Sequence, residues 1–412
     1  MRSEAVILRA RIVVPMEGAP IDDGAVVIQG DRIVAVGARR DLVPLHGEPT
    51  LDLGEVALLP GLINAHCHLD YTMMRHAIDP PKSFTAWVQR INALKRSLDN
   101  DDYLAAIRRG FRELRKWGTT TVCNIEAFPE LMVELGPSPL RTWWFYEMID
   151  VRHRHTTEEV VAGALSFFRR REAGLDRYGL SPHAPFTASV SLYQLANACA
   201  ARSPMALTTH VAESLEEMQM FRDARGPLYD FMKSLQRPMT DCGRHTPFGL
   251  LWRSGAINRD WLLAHMNELR DEDFELLGQH TADELPSVVH CPGSHRYFGH
   301  SPFPLRRLLD AGVNVCVGTD SLASTESLSL LEELRSLRDS IAGLSGEQLL
   351  RMVTVNPARA LQQAGQLGQI TPGALADLIA VPTSGTVAAI HEEVVDHSAP
   401  ISWMMIDGKI VP

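Results

Sequence analysis

Residues 60–70 read Pro-Gly-Leu-Ile-Asn-Ala-His-Cys-His-Leu-Asp. The candidate strand is LLPGLINAHCH (58–68), a short apolar run closed by polar residues, with His66 and His68 at its C-terminal end. Alternate residues of a strand point to one face, so both imidazoles project the same way, roughly 6–7 Å apart, close enough to grip one ion. Seven further stretches repeat the pattern: TTTVCNIE (119–126), RTWWFYEMI (141–149), RYGLSPHAP (177–185), MALTTHVAE (205–213), WLLAHMN (261–267), LPSVVHCP (285–292) and VNVCVGTD (313–320). Amphipathic stretches lie between them, such as DDYLAAIRRGFRELRKWG (101–118) and LSLLEELRSLRDS (328–340), with apolar residues at three- and four-residue spacing. Eight strands alternating with helices predict a parallel sheet closed into a (β/α)8 TIM barrel, an α/β fold.

Working outward, the first ~55 residues and the last ~45 read differently, as short β-branched runs punctuated by Gly and Asp-Gly turns. The expected organisation is therefore a composite β-sandwich from residues 1–57 and 368–412 around a barrel domain, 58–367. The segment 214–249 is longer than one helix needs and is expected to insert an extra helix or lid near the barrel mouth. At 412 residues the chain is long enough for a large barrel with an appended unit. The net charge of −10 argues against nucleic acid or anionic membrane as a partner. No stretch approaches the ~18 apolar residues of a membrane span, and the N-terminus lacks a signal-peptide core. The six cysteines form no CxxC pair and read as free thiols of a reducing compartment, which makes the expected location cytoplasmic.

Chemistry-bearing side chains gather at the C-terminal ends of the strands: His66 and His68 on the first, His183 on the fourth, His210 and Glu213 on the fifth, His265 on the sixth, His290 on the seventh and Asp320 on the eighth. Active sites of this barrel are built on that face. Three imidazoles and a carboxylate suit one divalent metal ion, Zn²⁺ first and Fe²⁺ or Mn²⁺ as alternatives, and such an ion lowers the pKa of a water. A second HxH, His153 and His155, sits in an Arg-rich polar stretch and reads as solvated surface.

At these residues the sequence resembles the amidohydrolase superfamily, in particular the branch of adenosine-type nucleoside deaminases (methylthioadenosine, S-adenosylhomocysteine and aminodeoxyfutalosine), guanine deaminase and triazine hydrolases. The resemblance runs through PGLINAHCHLD, SPHAPFT (181–187), THVAE (209–213), HCPGS (290–294), GTDS (318–321), VNPARAL (355–361) and GQITPGALADLIAV (368–381). It implies that His66, His68, His210 and Asp320 ligate the metal, that Asp320 takes a proton from the water, and that Glu213 passes a proton to a ring nitrogen. It implies that His265 hydrogen-bonds the attacking water or the developing oxygen, and that His183 and His290 line the substrate pocket. Relatives with two metals carry a lysine on the fourth strand, where this chain has none, so a single ion is expected.

The function this implies is hydrolytic deamination of an aminopurine nucleoside or related N-heterocycle, releasing ammonia. Guanine or pterin deamination and triazine hydrolysis are alternatives, and cyclic-amide hydrolysis is a further one. Relatives that have lost their ligands act as scaffolds, but here every ligand position is filled. The loop after the first strand offers Phe84 and Trp87 to a heterocycle, and Arg141 or Arg152, placed at the end of the third strand, to a carboxylate or ribose. Methylthioadenosine and S-adenosylhomocysteine deaminases carry Ser-Asn where Ser294-His295 stands here, so the substrate stays open. The partner expected is a small molecule. A homodimer or larger homo-oligomer is compatible with the resemblance.

Overall fold

The structure is a computed structural model and describes residues 5–42, 46, 48–151, 156–169, 174–203 and 205–411. The N-terminal strands are β1 (Ala5–Val13), β2 (Ile21–Gln29), β3 (Arg32–Ala38), β4 (Thr50–Asp52) and β5 (Val56–Pro60). The central strands are β6 (Leu62–Cys67), β7 (Thr119–Glu126), β8 (Arg141–Met148), β9 (Asp176–Pro182), β10 (Ala206–Val211), β11 (Trp261–His265), β12 (Ser287–His290) and β13 (Val315–Val317). The C-terminal strands are β14 (Leu378–Pro382), β15 (Trp403–Ile406) and β16 (Lys409–Val411).

β6 to β13 make one eight-stranded sheet in sequential order. Its neighbours run parallel, with His210 opposite Ala264 and Val211 opposite His265. A parallel bridge between Cys67 and Asp320 joins the first strand to the end of the last. This is the (β/α)8 barrel. Every residue of β6, β7, β11, β12 and β13 is buried, which is why these segments read as unbroken apolar runs and not as alternating ones. Contact clustering divides the chain into two compact units, one of residues 1–65, 111–122 and 327–412, the other of 66–110 and 123–326.

The terminal strands build the second sheet, in the order β16-β15-β14-β5-β1-β2-β3 with β4 beside β1. β14 pairs antiparallel with β5, so the two ends of the chain share one sheet. Both of its faces carry apolar side chains. Leu8, Val26 and Ile28 face one cluster with Ile33, Leu58 and Met405, and Ile7, Ala25 and Val27 face another with Ala35 and Leu42. Residues 58–68, read as one strand from sequence, are in fact two. Residues 56–60 belong to the terminal sheet, and the chain turns at Gly61 into the barrel. A Cβ at Gly61 would lie 2.1 Å from Thr120 Oγ1, so only glycine allows that approach.

The segment 214–249 contains helices Leu215–Asp223 and Pro227–Ser234, separated by Gly226 at φ +101° and started again by Pro227, and a third helix begins at Pro247. Proline at the first helical position suits a helix start, because its missing N–H would have no partner there. Met220, Phe221, Leu228 and Met232 pack with Phe84 and Phe186 in one apolar cluster. The helix Phe84–Lys95 is tied to this insertion. Glu216 accepts hydrogen bonds from the Phe84 and Thr85 N–H groups at 3.1 and 3.0 Å, satisfying two otherwise orphaned donors. Among the described residues no helix is long and apolar enough to cross a membrane.

The barrel seam leaves no room at Gly318, whose Cβ would sit 2.8 Å from the N, O and Cβ of His66. Gly318→Ala is expected to destabilise the protein by about 1–3 kcal/mol through overpacking against backbone. The urea midpoint measures it, and an unchanged midpoint would mean that the seam is looser than this spacing indicates.

Candidate active site

β6 delivers His66 and, one residue past its end, His68; β10 delivers His210; β11 ends on His265; and the turn after β13 carries Asp320. The donor atoms of His66, His68 and Asp320 all lie within 4.8 Å of one another, as do those of His66, His210 and His265. His66 Nε2 and His68 Nε2 stand 3.8 and 3.9 Å from Asp320 Oδ1, and His68 Nε2 is 3.1 Å from His210 Nε2. All five residues are buried.

The protonation of this cluster follows from burial. Burial holds His66 below the ordinary imidazole range and His68, His210 and His265 well below it, with the neighbouring imidazoles adding to the effect for the last three. The rings are therefore neutral. His210 Nδ1 lies 2.8 Å from the His183 carbonyl, which can only accept, so the proton is on Nδ1 and the Nε2 lone pair faces the cluster. Asp320 Oδ2 accepts from Ser294 at 2.7 Å and Ser324 at 3.3 Å, leaving Oδ1 towards the imidazoles. Converging neutral nitrogen lone pairs beside a carboxylate repel one another until a cation joins them, so the donor set fits a divalent metal ion.

The backbone is unusual where this chemistry sits. Ala212, His265, Met266 and Asp320 all have left-handed φ, between +51° and +73°. A non-glycine residue in that region is strained by about 1–3 kcal/mol, and such strain clusters at functional sites. The conformation is held from outside. The His66 carbonyl accepts from Thr319 N and Asp320 N, Met266 N donates to the Val211 carbonyl, and Glu268 N to that of Ala212.

Glu213 follows the strained Ala212 and is buried, with Oε1 3.8 Å from His265 Nε2. Burial, then Asp320, then Glu217 push its carboxyl well above the ordinary range, which favours its protonated form.

The cluster opens into a cavity of about 230 Å³ lined by His68, His183, His210, Glu213, His265 and Asp320 at one side. Phe84, Trp87, Ile91, Phe186, Phe231 and Leu235 make an apolar wall, and Asn92, Lys95 and Glu147 add a second polar group. His183 sits between the polar regions, its Nδ1 2.6 Å from Thr187 Oγ1, its Nε2 3.9 Å from Glu147 and its pKa lowered to about 3 by burial.

Two expectations change. His290 is not in the cavity lining; its ring stacks on Phe303 at 3.7 Å, with His295 edge-on at 5.1 Å, because β12 ends with that side chain turned into the apolar packing beside the barrel. Arg141 opens β8 and does not end it, so it lies at the opposite end of the strand from Glu147, buried and away from the cavity. Arg152, His153 and His155 lie outside the described residues.

Sequence reasoning passed over Tyr71, Lys95, Glu147 and Glu217. Tyr71 stacks on His68 at 5.5 Å and accepts a hydrogen bond from Lys95 Nζ at 2.6 Å. Lys95 had a readable signal, since Trp87, Ile91 and Lys95 recur at i, i+4 and i+8, one helical face, and all three line the cavity.

The amidohydrolase family model matches residues 57–411. The chain belongs to the amidohydrolase family. A 5-methylthioadenosine/S-adenosylhomocysteine deaminase of Pyrococcus furiosus is 30% identical to this amidohydrolase over 86% of this chain and 83% of its own. An aminodeoxyfutalosine deaminase of Deinococcus radiodurans is 30% identical over 81% of this chain and 80% of its own. The solved structure of an adenosine deaminase from Xanthomonas campestris with bound zinc superposes with a TM-score of 0.83 at 24% identity, covering 99% of this chain and 93% of that one.

Ser294 is the support of Asp320 that can be removed without touching a donor atom of the cluster. Ser294→Ala is expected to weaken divalent-metal affinity roughly 10–100-fold, as loss of an outer hydrogen bond to a ligand does. A titration in metal buffers checks this, and unchanged affinity would show that Asp320 does not depend on that hydroxyl.

Proposed function

We propose that this amidohydrolase is a hydrolytic deaminase of an aminopurine nucleoside. The observation that carries the reading is Glu213, a buried carboxyl whose Oε1 stands 3.8 Å from His265 Nε2 and which lines the same cavity as Asp320, His68 and His210. Replacing an amino group on a heteroaromatic ring by oxygen needs a nucleophilic oxygen at the carbon and a proton on the adjacent ring nitrogen. Both groups are within one cavity wall here.

We assign His66, His68, His210 and Asp320 as holding one divalent ion, zinc by analogy with the Xanthomonas relative. When bound, such an ion supplies Lewis acidity that brings the pKa of a water towards neutrality. In the proposed sequence Asp320 takes the proton of the water, whose oxygen adds to the ring carbon bearing the amine. Glu213 gives its proton to the ring nitrogen, so charge does not build up on the ring. His265, neutral and 3.8 Å from Glu213, hydrogen-bonds the oxygen as it becomes tetrahedral. The proton on Asp320 then moves to the amine, the carbon–nitrogen bond breaks, ammonia leaves and Glu213 is reprotonated from the product. The apolar wall of Phe84, Trp87 and Phe186 suits the faces of a flat ring and keeps bulk water out.

The second polar group supports a glycosylated ring over a free base. Lys95 spends one N–H on Tyr71 and has two more to offer, and Glu147 is an acceptor one imidazole ring away from the cluster. An ammonium and a carboxylate in one wall suit hydroxyl groups, which both donate and accept. The six free thiols support a reducing, cytoplasmic setting.

Three outcomes are expected. With zinc-loaded protein, ammonia release from adenosine, methylthioadenosine, S-adenosylhomocysteine or aminodeoxyfutalosine exceeds release from guanine or melamine; silence across all the nucleosides overturns the deaminase reading. Glu213→Gln retains metal but loses about 10²–10⁴-fold in kcat, the usual worth of a positioned proton donor. Metal loss in that variant would make Glu213 a ligand instead. Glu147→Gln is expected to raise KM for the active nucleoside roughly 10-fold or more, since a hydrogen bond to a charged group contributes about 1.5–3 kcal/mol. An unchanged KM would remove Glu147 from the binding site.

A further inference from the structure

Glu217 has no part in the chemistry above, yet it is among the most buried acidic residues of the chain, with no exposed surface. It stands in the first turn of the helix Leu215–Asp223 beside Glu216, where a helix dipole favours carboxylates. That preference does not ask for burial. Its neighbour Glu216 reaches out of the helix to cap Phe84 and Thr85, and Glu217 turns the other way. Its two oxygens accept from successive backbone groups, Oε1 from Ala212 N at 3.2 Å and Oε2 from Glu213 N at 2.8 Å. Ala212 is left-handed at φ +51°. A left-handed residue turns neighbouring N–H groups to one side and creates a small anion cradle. Here the chain fills the cradle with its own carboxylate.

The same turn is gripped on its other side. Asn267 Nδ2 donates to the Glu213 carbonyl at 3.0 Å, and Glu268 N to the Ala212 carbonyl at 2.9 Å. The Glu213 backbone is thus held at both its N–H and its C=O, and its side chain has one exit, towards His265 and Asp320. Ser214 completes the arrangement by accepting the Glu217 N–H at 3.2 Å, which fixes the start of the helix from which Glu217 reaches back.

We propose that Glu217 is a positioning residue that holds the Ala212–Glu213 turn through this two-armed contact and so aims the Glu213 carboxyl at the reacting ring. The inference rests on the role proposed above for Glu213. It identifies what Glu217→Gln changes. An amide keeps one acceptor oxygen but turns an NH2 group against the second backbone N–H, donor against donor, so one arm is lost and the turn relaxes.

The test is a double-mutant comparison on the metal-loaded full chain with the best nucleoside of the panel, measuring kcat, KM, bound metal and thermal midpoint for Glu217→Gln, Glu213→Gln and the pair. Expected for Glu217→Gln is a kcat about 10–100-fold lower with KM changed less than about twofold and metal retained, since a displacement near 1 Å is worth that much. In the Glu213→Gln background the second substitution is expected to lower kcat no further, because both act through one group. An unchanged kcat in Glu217→Gln, or a full additional loss in the double variant, overturns the positioning role. Full activity in Glu213→Gln alone instead overturns the reading of Glu213. Glu217→Asp, which keeps a carboxyl group but withdraws its oxygens by one methylene, is the second variant should the amide not fold. It carries the same expected split between kcat and KM.

Discussion

The contact on which the site depends is the seam between the first and last barrel strands. The His66 carbonyl takes both the Thr319 and the Asp320 amides, Gly318 lies flat against the His66 backbone, and Cys67 bridges Asp320. A barrel closes only if its last strand finds the first in a fixed stagger. Here the two residues that close it are also two of the donors. Fold closure and the approach of His66 to Asp320 are therefore a single event. The left-handed turn at Asp320 follows from the same contact, since the chain must leave β13 while its next two amides both reach back to one carbonyl.

Burial then sets the chemistry. In water these histidines would titrate near neutrality and the acids would be ionised. Enclosed together, the imidazoles are held well below their ordinary range and Glu213 well above its own. The direction is opposite for the two kinds of group because low dielectric disfavours whichever form is charged. One environment thus shifts the two kinds of group in opposite directions, without any residue being exceptional by itself. Burial pushes Asp70 up to about 7, with Glu147 adding to the rise, and burial together with Asp70 pushes Glu126 well above the carboxylate range.

The barrel was legible because five of its eight strands are buried along their whole length and several are followed at once by His, Glu or Asp. The donor residues were legible because HxH, THVAE and GTDS place them at strand ends. What stayed hidden depends on where side chains turn after the strand stops. His290 sits at the end of β12 as the pattern requires, but it stacks on Phe303. Arg141 looked like a mouth residue because strand direction within RTWWFYEM could not be anchored to its neighbours without the register. Glu147 was hidden for the complementary reason, since a carboxylate in an aromatic run reads as an exposed strand position until the strand is seen to end at a cavity. The split of 58–68 at Gly61 is invisible to periodicity, because both halves are apolar and only the pairing partners differ.

The insertion 214–249 shows why the site needs more than strand ends. A barrel mouth is open to water, which would screen Glu213 and let it ionise. The helices Leu215–Asp223 and Pro227–Ser234 put Phe231, Met232 and Leu235 into the cavity wall, and Glu216 ties them to the helix carrying Trp87 and Lys95. Three glutamates within five residues thus make different contacts. Glu213 lines the cavity, Glu216 accepts from the Phe84 and Thr85 N–H groups and Glu217 from those of Ala212 and Glu213. Moving Glu216 or Glu217 by one position would rotate it about 100° around the helix and exchange their contacts, so the spacing in SLEE reflects geometry as much as chemistry.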